Sequence, residues 1–274
     1  MTQPETGHRK TLSKELLVGR IETGRRLAQI LVTMKDEVGA VASVNTLMAS
    51  LNVDIRQSTS YSLPEGSLAV YNTFVVFNDP GVSMVQLVER LKESIFVADV
   101  QAHEGRGGVI VDGISFPVNW QGRRSVILSQ PAAGRMFEAI RFNLGSGGDV
   151  VLYQQGSSYG RELAEYFVTR LGRDYLKSNF DYTLGVLAAT GWGVPEHIGH
   201  GDGFPNVTIA LQSCFECDGV KAGRPACSFV RGFLSGVSSG VAGTMVHCEE
   251  TKCIAAGNPS CQFELRSGKS AISR

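Results

Sequence analysis

Six cysteines stand in this 274-residue chain, all of them between Cys214 and Cys261. A set so local serves one structure, and in a reducing compartment it binds metal or does redox work more often than it forms disulfides. Cys227 opens a run with helical spacing, Glu250 and Cys253 stand three apart at the end of the strand-like MVHCEE, and Cys253-x7-Cys261 crosses a Gly257-Asn258-Pro259 turn. One helix end and two turns would therefore deliver Cys227, Glu250, Cys253 and Cys261 to a common point. Three thiolates and one carboxylate suit zinc, which accepts sulfur and oxygen without redox chemistry; four protein ligands would close the site and make it structural. Cys214-x2-Cys217 is a rival pair, open to three readings: a redox dithiol, additional metal or iron–sulfur ligands, or two inert reduced thiols at a strand end.

Other chemistry is poorly signalled. The chain holds no Gly-x-Ser-x-Gly elbow, no His-Glu-x-x-His, no Walker loop and no Gly-x-Gly-x-x-Gly after a strand, which lowers the expectation of a hydrolase, kinase or Rossmann oxidoreductase. Twenty-six basic residues balance 26 acidic ones, so no net field draws the chain to nucleic acid or an anionic membrane. No apolar run approaches the ~20 residues of a membrane span, and MTQPETGHRKTLSKELL lacks a signal-peptide core. A cytoplasmic protein is expected, with neither membrane nor direct nucleic-acid contact.

The length suits two domains, and the pattern is α+β. Residues 1–26, with Arg9, Lys10, Lys14, Arg20, Arg25 and Arg26, read as a basic arm. From 27 to 105 the order is βαββαβ: the strand AQILVTM, a helix through Val44 and Met48, a hairpin around Leu63-Pro64-Glu65-Gly66, a helix through Leu87 and Leu91, and the closing strand FVADVQAHEG. That ferredoxin-like order packs two helices on one face of a four-stranded sheet. With the turn Lys35-Asp36-Glu37-Val38-Gly39-Ala40-Val41, the segment resembles the ACT domain, a regulatory module that binds amino acids and pairs through its sheets. The resemblance implies Asp36, Val38 and Gly39 as contacts for an amino-acid-like ligand, and a homodimer; a pairing module without a ligand is the alternative.

Arg106-Gly107-Gly108 opens an expected linker, 106–112, and the second domain is expected over 113–266 with a tail at 267–274. Its pattern predicts a helix over 131–144, a strand at VVLYQ, a turn from Gly156 to Gly160 into a helix near 160–173, and a helix from about Tyr182 to Thr190. Then comes Gly232-x3-Gly236-x3-Gly240, whose glycines share one face of a helix and let another backbone approach closely. From Pro225-Ala226-Cys227 through that helix to Cys248-Glu249-Glu250-Thr251-Lys252-Cys253 and Gly257-Asn258-Pro259-Ser260-Cys261-Gln262-Phe263, the sequence looks like the end of a 4-vinyl reductase, or hydrocarbon-binding, domain.

That resemblance implies an α/β fold with helices against an antiparallel sheet, an apolar cavity, and zinc on Cys227, Glu250, Cys253 and Cys261. Phe180, Tyr182, Trp192, Phe204 and Phe229 are candidates to line the cavity, with His197 and His200 to orient a polar group; ordinary core packing is the alternative for the aromatic residues. The expected protein is a regulatory sensor of a small hydrophobic or aromatic ligand, with zinc as a structural cofactor and an unidentified output protein as partner. A vinyl reductase-like enzyme or accessory of tetrapyrrole or aromatic metabolism, and a dimeric interaction scaffold, are the competing readings.

Overall fold

The structure is a computed structural model that describes residues 13–64 and 66–268, with no side-chain placement at 199–202. Most of the expected basic arm, including Arg9 and Lys10, and most of the expected tail lie outside these residues. The chain divides into two compact units, 1–126 and 127–274. No helix among the described residues is long and apolar enough to cross a membrane.

In the first unit β1 (Gly19–Ile21) precedes β2 (Arg26–Lys35), α1 (Ala40–Ser50), β3 (Val53–Ser62), β4 (Leu68–Phe77), α2 (Met84–Lys92), β5 (Val97–Glu104) and β6 (Val109–Val111). A short hairpin, β7 (Asn119–Trp120) and β8 (Arg123–Arg124), ends the unit. Four strands form an antiparallel sheet in the order β3-β4-β2-β5. Alternation along β2 sends Ala28, Ile30, Val32 and Met34 to one face, where Val44 and Met48 of α1 and Leu87 and Leu91 of α2 complete a core. Leu27, Phe74 and Val76 point to the other face and pack with Ile110 of β6.

This second face explains a difference from the sequence reading. Residues 106–112, expected as a linker, carry β6, which pairs with β1. The Gln29 amide donates to Asp112 at 2.6 Å and the Asn72 amide to the Ser115 hydroxyl at 2.8 Å, so the segment satisfies polar groups buried in the sheet. The expected start of the second domain at 113 likewise falls inside the first unit, whose boundary is Val126.

The second unit holds α3 (Gln130–Leu144), α4 (Ser146–Leu171), α5 (Arg173–Ser178), α6 (Phe180–Ala189), β9 (Val194–Gly203), β10 (Asn206–Gln212), α7 (Ser228–Ala242), β11 (Val246–Lys252), a 3-10 turn (Ile254–Ala256) and β12 (Cys261–Ser267). Its antiparallel sheet runs β11-β12-β10-β9. The run VVLYQ, expected as a strand, lies inside α4, and Gly156 and Gly160 are interior helical positions. Buried residues of α4 recur as Leu152, Gly156, Gly160, Leu163 and Phe167, a helical period that overrides the β preference of Val150 and Val151.

The reason for the glycines is α7. A Cβ placed on Gly156 would lie 2.0 Å from the Phe229 carbonyl oxygen, on Gly232 2.1 Å from that of Tyr153, and on Gly236 2.2 Å from that of Ser157. The helices therefore touch backbone to backbone. Replacing a helical glycine by alanine ordinarily stabilises by ~0.5–1 kcal/mol. Gly185 of α6 is exposed, with nothing within 4 Å of an added Cβ, so Gly185→Ala should gain stability while Gly236→Ala loses roughly 1–3 kcal/mol or more by overpacking. Chemical denaturation of the two variants checks the opposite signs; a neutral Gly236→Ala would show that the helices separate easily.

Candidate metal centre and aromatic cluster

Where α7 begins, the chain has its highest density of buried chemistry. Cys227 is the residue before the first turn of α7; Glu250 lies in β11, Cys253 just after it, and Cys261 opens β12. The structure brings these four together, with their ligand atoms within 4.8 Å of one another. It also brings in the pair the sequence left aside. Cys214 and Cys217 follow β10 and join Cys227 and Cys261 in a second four-donor set of the same compactness.

The Sγ separations are 3.2 Å for Cys217–Cys261, 3.3 Å for Cys217–Cys227, 3.6 Å for Cys214–Cys227 and Cys227–Cys261, and 3.9 Å for Cys227–Cys253. A tetrahedral zinc with Zn–S bonds of about 2.3 Å spaces its sulfurs by about 3.8 Å. All five thiols are buried. The Ile254 amide donates to Cys261 Sγ at 3.4 Å, and the Cys253 amide to the Asn258 side chain at 3.1 Å, which fixes the turn between the two cysteines. One oxygen of Glu250 accepts the Cys227 amide at 3.0 Å, while its Oε1 is buried with no hydrogen-bond partner. An orphaned, buried carboxylate oxygen beside thiols is what a cation would satisfy, so the residues fit a metal ion.

Protonation preferences follow from crowding. Burial pushes Glu250 up to about 8. The hydrogen bond that Cys253 shares with Cys227 pulls Cys253 down to about 6, and contacts with Cys214, Cys227 and Cys261 hold Cys217 far below the ordinary thiol range. Cys214 and Cys227 are driven the other way, because neighbouring thiolates oppose a second charge.

A second carboxylate, unnoticed in the sequence, positions the first pair. Glu216, between Cys214 and Cys217, accepts the amides of Phe229 and Val230 at 3.1 and 2.8 Å and the Arg141 guanidinium at 2.7 Å. It thus caps α7, whose first-turn amides face a negative charge, and ties the loop to α3. Arg141 also donates to the Ala226 carbonyl and to Asp149. Burial pushes Glu216 up to about 7, with the amides and Arg141 acting against that rise. The only signal in the sequence is an acidic residue inside an otherwise apolar Cys-Phe-Glu-Cys stretch.

The expected ligand-lining residues fall into groups. Trp192 and Phe229 lie 5.5 Å apart, ring to ring, in a cluster with Phe215, Phe233, Tyr159 and Phe137. Phe180 stacks on Phe204 at 4.6 Å, and Tyr182 meets Phe167 edge-on at 5.4 Å. His197 Nδ1 is 2.8 Å from Asp181, and His200 takes its place in β9 opposite Val207. A shallow groove of about 330 Å3 lies elsewhere, lined by Asp149, Val150, Tyr153, Arg231 and Cys248. In the first unit, Asp36, Val38 and Gly39 form the turn from β2 into α1; Gly39 has φ +94° and Val38 is fully exposed.

Glu216→Ala should leave the α7 amides and Arg141 without their acceptor and cost on the order of 3 kcal/mol, the scale of breaking a buried ion pair from one side. Glu216→Gln, which keeps one acceptor oxygen, should cost less. Thermal denaturation gives the ranking, and an unchanged melt for Glu216→Ala would remove this residue from the centre's support.

Residues 207–267 match the 4-vinyl reductase domain family, a stretch that contains all six cysteines. An uncharacterized protein of Methanocaldococcus jannaschii is 38% identical over 61 residues, 22% of this chain and 38% of the relative's length. The chain thus aligns with well under two thirds of that relative. Among solved structures, the phenol-responsive sensory domain of the transcription activator PoxR with phenol is similar at 19% identity and a TM-score of 0.47, over 54% of this chain and 79% of that one. A vinyl-4-reductase family protein from Methanocaldococcus jannaschii is similar at 20% identity and a TM-score of 0.40, over 53% of this chain and 85% of that one.

Proposed function

We propose that the second unit is a sensory module for a compact hydrophobic or aromatic molecule, bound at the Trp192–Phe229 cluster and braced by a structural zinc on Cys227, Glu250, Cys253 and Cys261. One observation carries this reading: the aromatic cluster and the cysteine centre share a loop and a helix. Phe215 stands between Cys214 and Glu216, and its amide donates to the Trp192 carbonyl at 2.8 Å. Phe229 follows Cys227 by two residues. Trp192, Phe215 and Phe229 are only half-buried and Tyr159 is 40% exposed, whereas rings serving the core alone bury more fully. The 4-vinyl reductase family match over 207–267 supports the same reading.

Sensing requires two arrangements with different ligand affinity. The loop from Cys214 to Cys217 is the natural element to move, since it bears one ring of the cluster and two of the thiols. In this reading the first unit takes an amino-acid-like ligand at Asp36, Val38 and Gly39 and pairs two copies of the chain, and output passes to a partner protein in the cytoplasm. The chain is a binder, with no catalytic residue assigned.

Trp120 and Trp192 are the two tryptophans, so a Trp120→Phe background isolates the reporter. Phenol, one ring with one hydroxyl, should change Trp192 emission saturably, and Phe229→Ala should raise the apparent Kd at least tenfold. Chelation of the metal should weaken phenol binding as well, by loosening the shared loop. A linear, unsaturable response from phenol and from larger aromatic probes, confirmed by calorimetry, would sink the sensory reading.

A further inference from the structure

We propose that the cysteine-rich end of the second unit binds two thiophilic divalent cations, bridged by Cys227 and Cys261. One ion is completed by Cys214 and Cys217, the other by Cys253 and Glu250. The second ion rests on the centre assigned above and adds the Cys214–Cys217 half to it.

Two four-donor sets exist here, each with ligand atoms within 4.8 Å of one another, and both contain Cys227 and Cys261. Their union is six donors, five sulfurs and one carboxylate oxygen, on six buried residues. A single tetrahedral ion uses four. If it sat with Cys253 and Glu250, the Cys214 and Cys217 sulfurs would be left at 3.6 and 3.3 Å from a metal-bound Cys227 sulfur. If it sat with Cys214 and Cys217, Glu250 Oε1 would stay buried and without a partner. Either choice strands donors in a dry environment, where an uncompensated charge or unsatisfied oxygen is costly.

Two ions remove the conflict. A thiolate has lone pairs enough to serve two cations, and the shared sulfurs, 3.6 Å apart, give each ion two bridging and two terminal ligands. Six formal negative charges then meet four positive ones, where a single ion leaves twice the residual charge. Each position is filled by protein, so neither ion keeps an open site for water, and the centre is structural at both metals. Sulfur-rich donors select zinc or a similarly soft divalent ion over magnesium or calcium. Glu216 contributes from outside the cluster: its bonds to α7 and α3 hold the Cys214–Cys217 loop over the shared sulfurs.

The test uses the full chain, stripped under reducing conditions and reloaded with zinc alone, then with cadmium-113 alone. Elemental analysis and native mass spectrometry should count two zinc ions per chain, and only Cys248 should alkylate in the loaded protein. Cadmium NMR should show two resonances coupled to each other through the bridging sulfurs. Cys214→Ser with Cys217→Ser should drop the count to one; because that variant could misfold, the wild-type count and coupling stand on their own. One zinc per chain, with two further thiols alkylated, overturns the second ion and leaves the single-metal centre intact. No bound zinc overturns both. Two uncoupled cadmium resonances overturn the bridge, and iron with acid-labile sulfide in the purified chain overturns the two-cation assignment.

Discussion

The second unit depends on the contact between α4 and α7. With no Cβ on Gly156, Gly160, Gly232 or Gly236, one backbone lies against the other, and neither helix can slide or roll without an atomic clash. The N-terminus of α7 is thereby fixed in space. Cys227 sits at that point, and β11 and β12, packed through Val246, Phe263 and Leu265, bring Glu250, Cys253 and Cys261 to it. Dispersion and burial set the frame, while the thiols themselves oppose assembly. Five sulfur atoms and a carboxylate gathered in a dry pocket are unfavourable in their ionised forms, so the packing that gathers them also creates the demand for cations.

The centre's support is layered, and only part of it faces the metal ligands. Glu216 and Arg141 form a buried pair at 2.7 Å that has no donor atom in either four-donor set. Their function is mechanical: the carboxylate satisfies two first-turn amides of α7 and draws the Cys-Phe-Glu-Cys loop toward α3. Hydrogen bonds around ligating residues commonly set ligand orientation in metal sites. Here the same loop also carries Phe215, so the polar network that orients two thiols orients an aromatic ring of the neighbouring cluster.

What was legible in the sequence follows the range of the interaction involved. Glu250-x2-Cys253-x7-Cys261 could be read because a strand end, a turn and a strand start are local, and spacing alone nearly determines where the side chains meet. Cys214 and Cys217 could not be joined to them, because their position depends on the path of residues 213–227 and on a pairing with Arg141 that is 75 residues away from Glu216. VVLYQ reads as a strand for a similar reason. Its β-branched residues are visible locally, whereas the α7 groove that accepts Gly156 and Gly160 is a tertiary fact. Residues 106–115 look like a linker because of their glycines, yet Asp112 and Ser115 serve Gln29 and Asn72, polar residues whose burial in β2 and β4 no periodicity announces.

This layering bears on regulation. A ligand shifts a conformational equilibrium only by the difference in its affinity for the two states, so a sensor needs an element that touches both ligand and output. The Cys214–Cys217 loop meets that requirement more closely than α4 or α7, whose glycine contacts permit a single arrangement. Phe215 faces the rings, Cys214 and Cys217 face the shared sulfurs, and Glu216 faces α7 and α3. A ring inserted beside Trp192 would displace Phe215 first, and that displacement would be felt at the thiols within two residues. Coupling of this kind is reciprocal: whatever tightens the metal's hold on the loop also selects the arrangement of the aromatic cluster.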